Sequence, residues 1–96
     1  MASPGFEWDT AKAAANRRRH GVTFEEATVA FRDPFAVEVV DDREDYGEER
    51  VNLLGRSGAM LLHVTYTERG GGRVRITSAR RAERDEQDRY LRENAG

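Results

Sequence analysis

Three consecutive runs of alternating apolar and polar residues are the feature that most constrains the fold of this chain. The short loops SGA and ERGGG separate them, and both contain the glycine that a tight reversal favours. Loops this short join neighbouring antiparallel strands. A fourth, β-branched run precedes an acidic turn, DDREDYGEE, so we expect a four-stranded meander. In chain order, the four runs are FAVEVVDD, RVNLLGR, MLLHVTYT and RVRITSA.

The alternation assigns the side chains of the last three runs to two faces of the expected sheet. One face is apolar, and its members are Val51, Leu53, Leu62, Val64, Tyr66, Val74 and Ile76. The other face is polar, with Leu54 and Leu61 as its only apolar residues. We expect helices on the apolar face and an open, basic face opposite. The polar face carries Arg50, Asn52, Arg56, His63, Thr65, Thr67, Arg73, Arg75 and Thr77.

Two helices are predicted before the strands. Asp9 is a favourable N-cap for the first helix, and Gly21 suits the left-handed position that ends it. Thr23 and Glu26 form a capping-box pattern for the second helix, which Pro34 prevents from continuing.

A third helix is predicted after Ser78, through RRAERDEQDRYLREN, which places Arg80 and Arg81 in its first turn. Backbone N–H groups at that helix start would then assist an anion. The apolar positions of this helix are few, so we expect it to dock weakly. They are chiefly Ala82, Tyr90 and Leu91.

The expected fold class is α+β, with two N-terminal helices packed on one face of a four-stranded antiparallel sheet, plus the C-terminal helix. A short edge strand at residues 6–8 would make the sheet five-stranded. The length of 96 residues suits a single domain, residues 1–96, in which we expect residues 1–5 to be disordered.

The composition indicates in which compartment the protein works and which kinds of partner it binds. The chain has no cysteine, which excludes disulfides, and no apolar run approaches the roughly 18 residues of a membrane span. We therefore expect a cytoplasmic protein without membrane contact. The net charge is −2, yet the 16 basic residues include a single lysine, Lys12. Arginine suits planar, bidentate binding of phosphate or carboxylate.

The polar face joins several arginines, hydroxyl groups and one histidine, which is typical of an anion site. Its clustered positive charge indicates a polyanion such as RNA. An ordinary solvated sheet face is the alternative, because alternation assigns side chains to a face without showing that they converge.

Three segments of the chain resemble the BrnT family, toxins of type II toxin–antitoxin systems. The similarity runs from Phe6 to about Tyr90, and the family's characteristic patterns occur in order and at the expected spacing. The segments are FEWDTAKAAANRRRHGVTFEEA, EERVNLLGRS and RVRITSARRA. The patterns are W-D-x-x-K, H-G-V-[ST]-F-E-E-A, E-R and R-x-I-[ST]-A-R-[RK].

The resemblance implies a RelE-like ribonuclease fold and a cytoplasmic ribonuclease that blocks translation by cutting RNA. It implies neutralisation by a BrnA-like antitoxin with a ribbon-helix-helix domain, and a complex that represses its own operon. Operator DNA would be contacted only through the antitoxin, and a toxin homodimer within the complex is left open. The acidic tract Asp41 to Glu49 is interpreted as a solvated hairpin, with an antitoxin contact as the alternative.

Metal-free RNA cleavage needs a base, a proton donor and cations that stabilise the charged phosphorane. The sequence shows no His, Asp and Glu cluster at metal-ligand spacing, so we expect no metal and no other cofactor. Arg50, Arg75 and Arg80 are the first candidates to hold the phosphate. Further RNA contacts are expected from Arg56, Thr67, Arg69, Arg81 and Tyr90.

Four side chains are candidates for proton transfer: His63, His20, Lys12 and Tyr90. His63 lies by alternation on the arginine face, where positive charge favours its neutral form, but it matches no family pattern. The alternatives are structural: His63 fills a strand, His20 closes a helix, and Lys12 is a solvated helix residue. Trp8 is interpreted as a packing residue, with stacking on a base as the alternative.

Two functions of different class follow. The first is a metal-independent RNA endonuclease in which arginines hold the phosphate. The second is a non-catalytic binding module of the same fold that acts only through an antitoxin or a DNA-bound complex.

Overall fold

The computed structural model describes residues 2–3, 5–41 and 50–95. Within them, three α-helices and six β-strands are present, together with a 3-10 turn at Gly70–Gly72. In chain order the elements are β1 (Ala2–Ser3), β2 (Phe6–Glu7), α1 (Thr10–His20), α2 (Phe24–Ala30), β3 (Val37–Asp41), β4 (Arg50–Ser57), β5 (Met60–Arg69), β6 (Arg73–Arg81) and α3 (Arg84–Asn94).

All six strands belong to one sheet with the spatial order β1, β2, β6, β5, β4, β3. β3 to β6 form the predicted antiparallel meander. The predicted N-terminal edge strand is confirmed as β2, which runs parallel to β6 and makes the sheet mixed. β1 pairs antiparallel with β2, within the segment where we expected disorder. Residues 42–49 of the predicted acidic turn lie outside the described part of the chain.

α1 begins and ends at the predicted residues, and α2 begins after its predicted N-cap and ends at Ala30, before Pro34. Asp9 Oδ1 accepts a hydrogen bond from the Lys12 N–H at 3.0 Å, and Gly21 ends α1 with a φ of 71°. The capping box of Thr23 and Glu26 is present at the start of α2. Local sequence signals therefore set the limits of both helices.

The main core lies between these two helices and the apolar face of the sheet, as predicted. Phe24 and Ala27 of α2 are fully buried there, together with Leu62 and Val64 of β5. Trp8 is 6% exposed and meets Phe24 edge-on, with ring centroids 5.9 Å apart. The interpretation of Trp8 as a packing residue is confirmed.

A β-bulge interrupts the pairing of β5 with β6 between Thr65 and Tyr66. Ser78 pairs with Thr65, and Ile76 pairs with Tyr66, so the two positions on β5 face three residues of β6. The additional residue is Thr77, whose hydroxyl donates to the Thr65 carbonyl oxygen at 3.1 Å. Such a bulge restarts the alternation of side chains along the strand.

The bulge decides which side chains of β6 face the core. Unbroken alternation from Ile76 would turn Ser78 and Arg80 toward the helices. After the bulge, Ala79 instead is fully buried, and Arg80 lies opposite His63 on the polar face. The arginine thus escapes burial in an apolar core, which would be costly for a charged group.

Asn16 of α1 ties β6 to the helices directly after the bulge. Its side-chain amide donates to the Ala79 carbonyl at 2.7 Å and to the Val22 carbonyl at 3.0 Å. Its Oδ1 accepts from the Ala79 N–H at 3.1 Å. Since β2 pairs with β6 only as far as Arg75, Asn16 supplies the hydrogen bonds that a longer neighbouring strand would make.

The prediction that a helix starts after Ser78 is wrong. β6 continues to Arg81, and α3 begins at Arg84 after its N-cap, Glu83. Pairing with β5 overrides the local helix pattern here, because the ladder supplies partners for the strand backbone. Arg80 and Arg81 therefore lie on a strand, and the expected assistance from a helix start does not apply to them.

α3 lies on the polar face, so the prediction that this face is open is wrong at that end. Tyr90 is 4% exposed and packs with Leu54 and Ala82, beside the partly buried Leu61. Its hydroxyl donates to Asp33 Oδ2 at 2.7 Å. The two leucines that were exceptions on the polar face are the residues that α3 helps to cover.

Gly55 should be intolerant of substitution because the end of α2 lies directly against it. A Cβ atom at Gly55 would lie 2.5 Å from the Ala30 carbonyl oxygen, whereas one at Gly70 would meet nothing within 4 Å. We expect Gly55→Ala to lower the free energy of unfolding by about 1–3 kcal/mol, the usual cost of overpacking. Gly70→Ala is the control, and equal urea midpoints for the two variants would contradict this packing.

Candidate functional site

The polar face carries the predicted site residues in two rows that cross the sheet. In one row, Thr67 lies between Arg50 and Arg75. In the other, His63 pairs with Arg80. The rows are four residues apart along β5, or about 13 Å at the usual rise of a strand. The two groups form separate clusters on one face, each with its own carboxylate.

The row around Arg75 contains a carboxylate that the sequence analysis did not anticipate. Glu7 of β2 lies opposite Arg75 in parallel register, and Arg75 Nη1 donates to Glu7 Oε2 at 3.0 Å. Arg73 Nη2 lies 2.7 Å from the other oxygen of Glu7. Thr67 is 1% exposed, and its hydroxyl makes no hydrogen bond in the described part of the chain.

The row around Arg80 is closed by a second unanticipated carboxylate, Glu86 of α3. Arg80 Nη1 and Nη2 donate to the two oxygens of Glu86 at 2.8 Å and 2.9 Å, a bidentate pair. His63 Nε2 lies 3.6 Å from Glu86 Oε2. The His63 side chain is 15% exposed, and its Nδ1 has no hydrogen-bond partner within the described residues.

His63, Arg80 and Glu86 shift one another's pKa values and so influence which of them is charged. Burial lowers the pKa of His63, and the adjacent Arg80 lowers it further, while Glu86 acts in the opposite direction. Burial works to raise the pKa of Glu86, but hydrogen bonds from Arg80 and the Glu83 N–H hold it below its ordinary value. At neutral pH, a neutral imidazole therefore lies beside an arginine–carboxylate ion pair.

The candidates on α1 are not brought together with His63. Lys12 is exposed, and His20 lies in the last turn of α1. The Lys12 N–H lowers the pKa of Asp9, and the charge of Arg75 contributes to the same shift. The start of α1 therefore lies near the Arg75 row, at the β2 edge of the sheet.

The remaining predicted RNA contacts divide into exposed and buried residues. Arg69, Arg81 and Arg56 are exposed, and Arg56 lies over the Tyr90 ring at 5.6 Å from its centroid. Tyr90 itself is buried, and burial together with the hydrogen bond to Asp33 raises the pKa of its hydroxyl. The interpretation of Tyr90 as an RNA contact or proton donor is therefore corrected: it anchors α3.

Local sequence patterns predict the contacts of neither Glu7 nor Glu86. Glu7 meets Arg75 only because β2 and β6 are parallel, a pairing that no local pattern indicates. Glu86 meets Arg80 because β6 extends past Ser78, where we had predicted a helix. The only local signal was the spacing of Glu83 and Glu86, which form the capping box of α3.

The described residues contain neither a membrane-spanning helix nor a cluster of metal ligands. Across residues 2–3, 5–41 and 50–95, no helix is long and apolar enough to cross a membrane. In the same described ranges, no group of three or more His, Cys, Asp or Glu side chains is arranged to hold a metal ion.

Comparison with known proteins identifies the family. The model of the family described as "Ribonuclease toxin, BrnT, of type II toxin-antitoxin system" matches residues 8–86. This chain belongs to the BrnT family. The resemblance of its sequence segments is thus confirmed, and with it membership of a family of ribonuclease toxins. Among curated proteins, no sequence matches this BrnT chain.

The fold of this BrnT chain is similar to that of the Brucella abortus ribonuclease toxin BrnT, known from a crystal structure. The TM-score is 0.60 at 20% sequence identity, and the match covers 82% of this chain and 96% of the Brucella chain. The α+β fold class is confirmed. The narrower label RelE-like stays a prediction.

The ionisation of His63 should respond in opposite directions to its two neighbours. Arg80→Gln removes a cation and leaves Glu86 unpaired, so the pKa of His63 should rise. Glu86→Gln removes the carboxylate that favours the imidazolium, so the pKa of His63 should fall further. NMR titration of the ring carbon resonances measures both changes, and shifts of the same sign would contradict the cluster.

Proposed function

We propose that this BrnT chain is an endoribonuclease that cuts RNA without a metal ion, at a phosphate bound between Arg80 and His63. The observation that carries the proposal is the half-buried imidazole of His63, which lies opposite Arg80 in the sheet and 3.6 Å from the carboxylate that Arg80 binds. One group accepts a proton at neutral pH, and the other carries the positive charge that a phosphorane requires.

The reaction is an internal displacement at phosphorus. His63 takes the proton of the ribose 2′-OH, and the resulting oxygen forms a bond to the adjacent phosphorus. The bond to the 5′-oxygen of the next nucleotide breaks, and that oxygen receives a proton from the imidazolium or from water. The products are a 2′,3′-cyclic phosphate and a 5′-hydroxyl. Arg80 stabilises the negative charge that develops on the phosphorane oxygens during the reaction.

The second row of the polar face would hold another phosphate of the same RNA strand. Arg75 uses Nη1 for Glu7 and its side chain is 31% exposed, whereas the buried Thr67 is not open to RNA. Arg50 lies on the other side of Thr67. Lys12 lies nearby at the start of α1, and the exposed Arg56, Arg69 and Arg81 extend the positive surface.

Membership of the BrnT family supports a proposal for the cellular role. We infer that cleavage blocks translation and that a BrnA-like antitoxin with a ribbon-helix-helix domain neutralises the chain in the cytoplasm. Operator DNA would then be reached only through that antitoxin. A cleft of about 310 Å³ between α3 and the β4–β5 turn, lined by Arg56, Arg81 and Leu91, offers such a partner both apolar and basic contacts.

A non-catalytic binding module is the second candidate, and one observation favours it. Arg75 and Arg80, two of the three arginines expected to hold phosphate, are already paired with Glu7 and Glu86. A chain of this kind would arrest growth only through a complex. The absence of growth arrest when the wild-type chain is expressed without an antitoxin would support this candidate.

An RNA cleavage assay in the presence of a metal chelator tests the proposed metal-independent activity directly. With EDTA present, purified chain should convert RNA to fragments that end in a cyclic phosphate. His63→Asn should lower the rate by about 10²–10⁴-fold, the usual effect of losing a general base, and Arg80→Gln by a similar factor. Arg17→Gln, an exposed change on α1, is the control. Intact RNA with a folded wild-type chain would overturn the proposal.

A further inference from the structure

The first turn of α3 places a carboxylate where the proposed reaction needs a phosphate. Glu86 occupies both terminal nitrogens of Arg80 and lies 3.6 Å from His63 Nε2. We propose that Glu86 is an internal competitor for RNA, so that a phosphate of the substrate must displace it, and with it the start of α3. This inference rests on the proposed function, because it assigns a regulation to the same site.

Arg80 holds Glu86 through the terminal fork of its guanidinium, which a phosphate would also use. A guanidinium offers carboxylate and phosphate the same planar fork of N–H groups. Nη1 and Nη2 are both bonded to Glu86, and Nη1 also donates to the Arg81 carbonyl at 3.1 Å. Arg80 can therefore hold a phosphate through this fork only after Glu86 has left it.

The same carboxylate restricts access to His63. The exposed fractions of the two side chains are 15% for His63 and 17% for Glu86, so each helps to cover the other. A ribose 2′-OH must come within about 3 Å of the imidazole for proton transfer. Movement of Glu86 would expose the side chains of His63 and Arg80 to the substrate at the same time.

The attachment of α3 is suited to such a movement. Tyr90 is the only buried residue of α3, and Leu91 is 60% exposed. Little buried apolar surface would therefore become exposed to water if the helix turned outward. Polar contacts hold the rest: the Tyr90 hydroxyl to Asp33, and Asn94 to the Phe35 carbonyl at 3.0 Å. Contacts of this kind exchange with water at modest cost.

Binding of an uncleavable oligonucleotide tests the competition separately from cleavage. We expect Glu86→Gln to bind an all-2′-deoxy strand about tenfold more tightly than the wild type, since one charged hydrogen-bonded competitor is lost. Glutamine still suits the third position of a capping box, so α3 should remain folded. Asp88→Asn removes the same charge from an exposed position of α3 and is the matched control.

The gain should also depend on Arg80. In an Arg80→Gln background, Glu86→Gln should give no further tightening, because the contested fork is then absent. Hydrogen exchange of the α3 amides in the wild type should become faster when the strand binds. Equal tightening for Glu86→Gln and Asp88→Asn, no tightening, no binding, or unchanged α3 exchange would each overturn the inference.

The two proposals fail in different ways. If the wild type cuts RNA and Glu86→Gln binds no better than the control, only the competition is wrong. If Glu86→Gln binds tightly and no variant cuts RNA, the competition stands for a binding module and the enzymatic proposal is wrong.

Discussion

The β-bulge opposite Thr65 is the constraint on which the rest of this BrnT structure depends. It inserts Thr77 into β6 and thereby turns Ala79 into the core and Arg80 onto the polar face. A guanidinium in the apolar core would carry a large desolvation cost, so the side-chain pattern after the bulge is consistent only with the bulge present. Asn16 supports the bulge because its side-chain amide forms hydrogen bonds with both the N–H and the carbonyl oxygen of Ala79.

The consequence is a sheet face on which positive charges lie close together. Arg75 and Arg80 are each paired with a carboxylate from another element, Glu7 from β2 and Glu86 from α3. These carboxylates offset the repulsion between cations, and they use the same donor groups that a phosphate would use. The contacts that stabilise the free chain and the contacts proposed for RNA are therefore alternatives.

The position of α3 links this charge arrangement to packing. Leu54 interrupts an otherwise polar face, and Tyr90 covers it while its hydroxyl binds Asp33. That contact places the first turn of α3 over His63 and Arg80. A helix with little apolar surface is thus positioned by one aromatic residue in its second half and one ion pair at its start.

Local patterns were sufficient to predict much of the fold from the sequence. Asp9, Gly21 and Thr23 specify the limits of α1 and α2 through interactions within a few residues, and the turns of the meander do the same. The extension of β6 past Ser78 was missed because pairing with β5, which is distant in sequence, outweighs helix propensity there. Glu7 was missed for the same reason, since only parallel pairing brings it to Arg75.

A crystal structure of the chain with an all-2′-deoxy oligonucleotide would test the central claim most directly. The measurement is the position of the nearest phosphate relative to Arg80 and His63. The account predicts a phosphate within hydrogen-bond distance of the Arg80 guanidinium and His63 Nε2, with Glu86 displaced. A phosphate bound only at Arg50 and Arg75, with the Arg80–Glu86 pair intact, would contradict it.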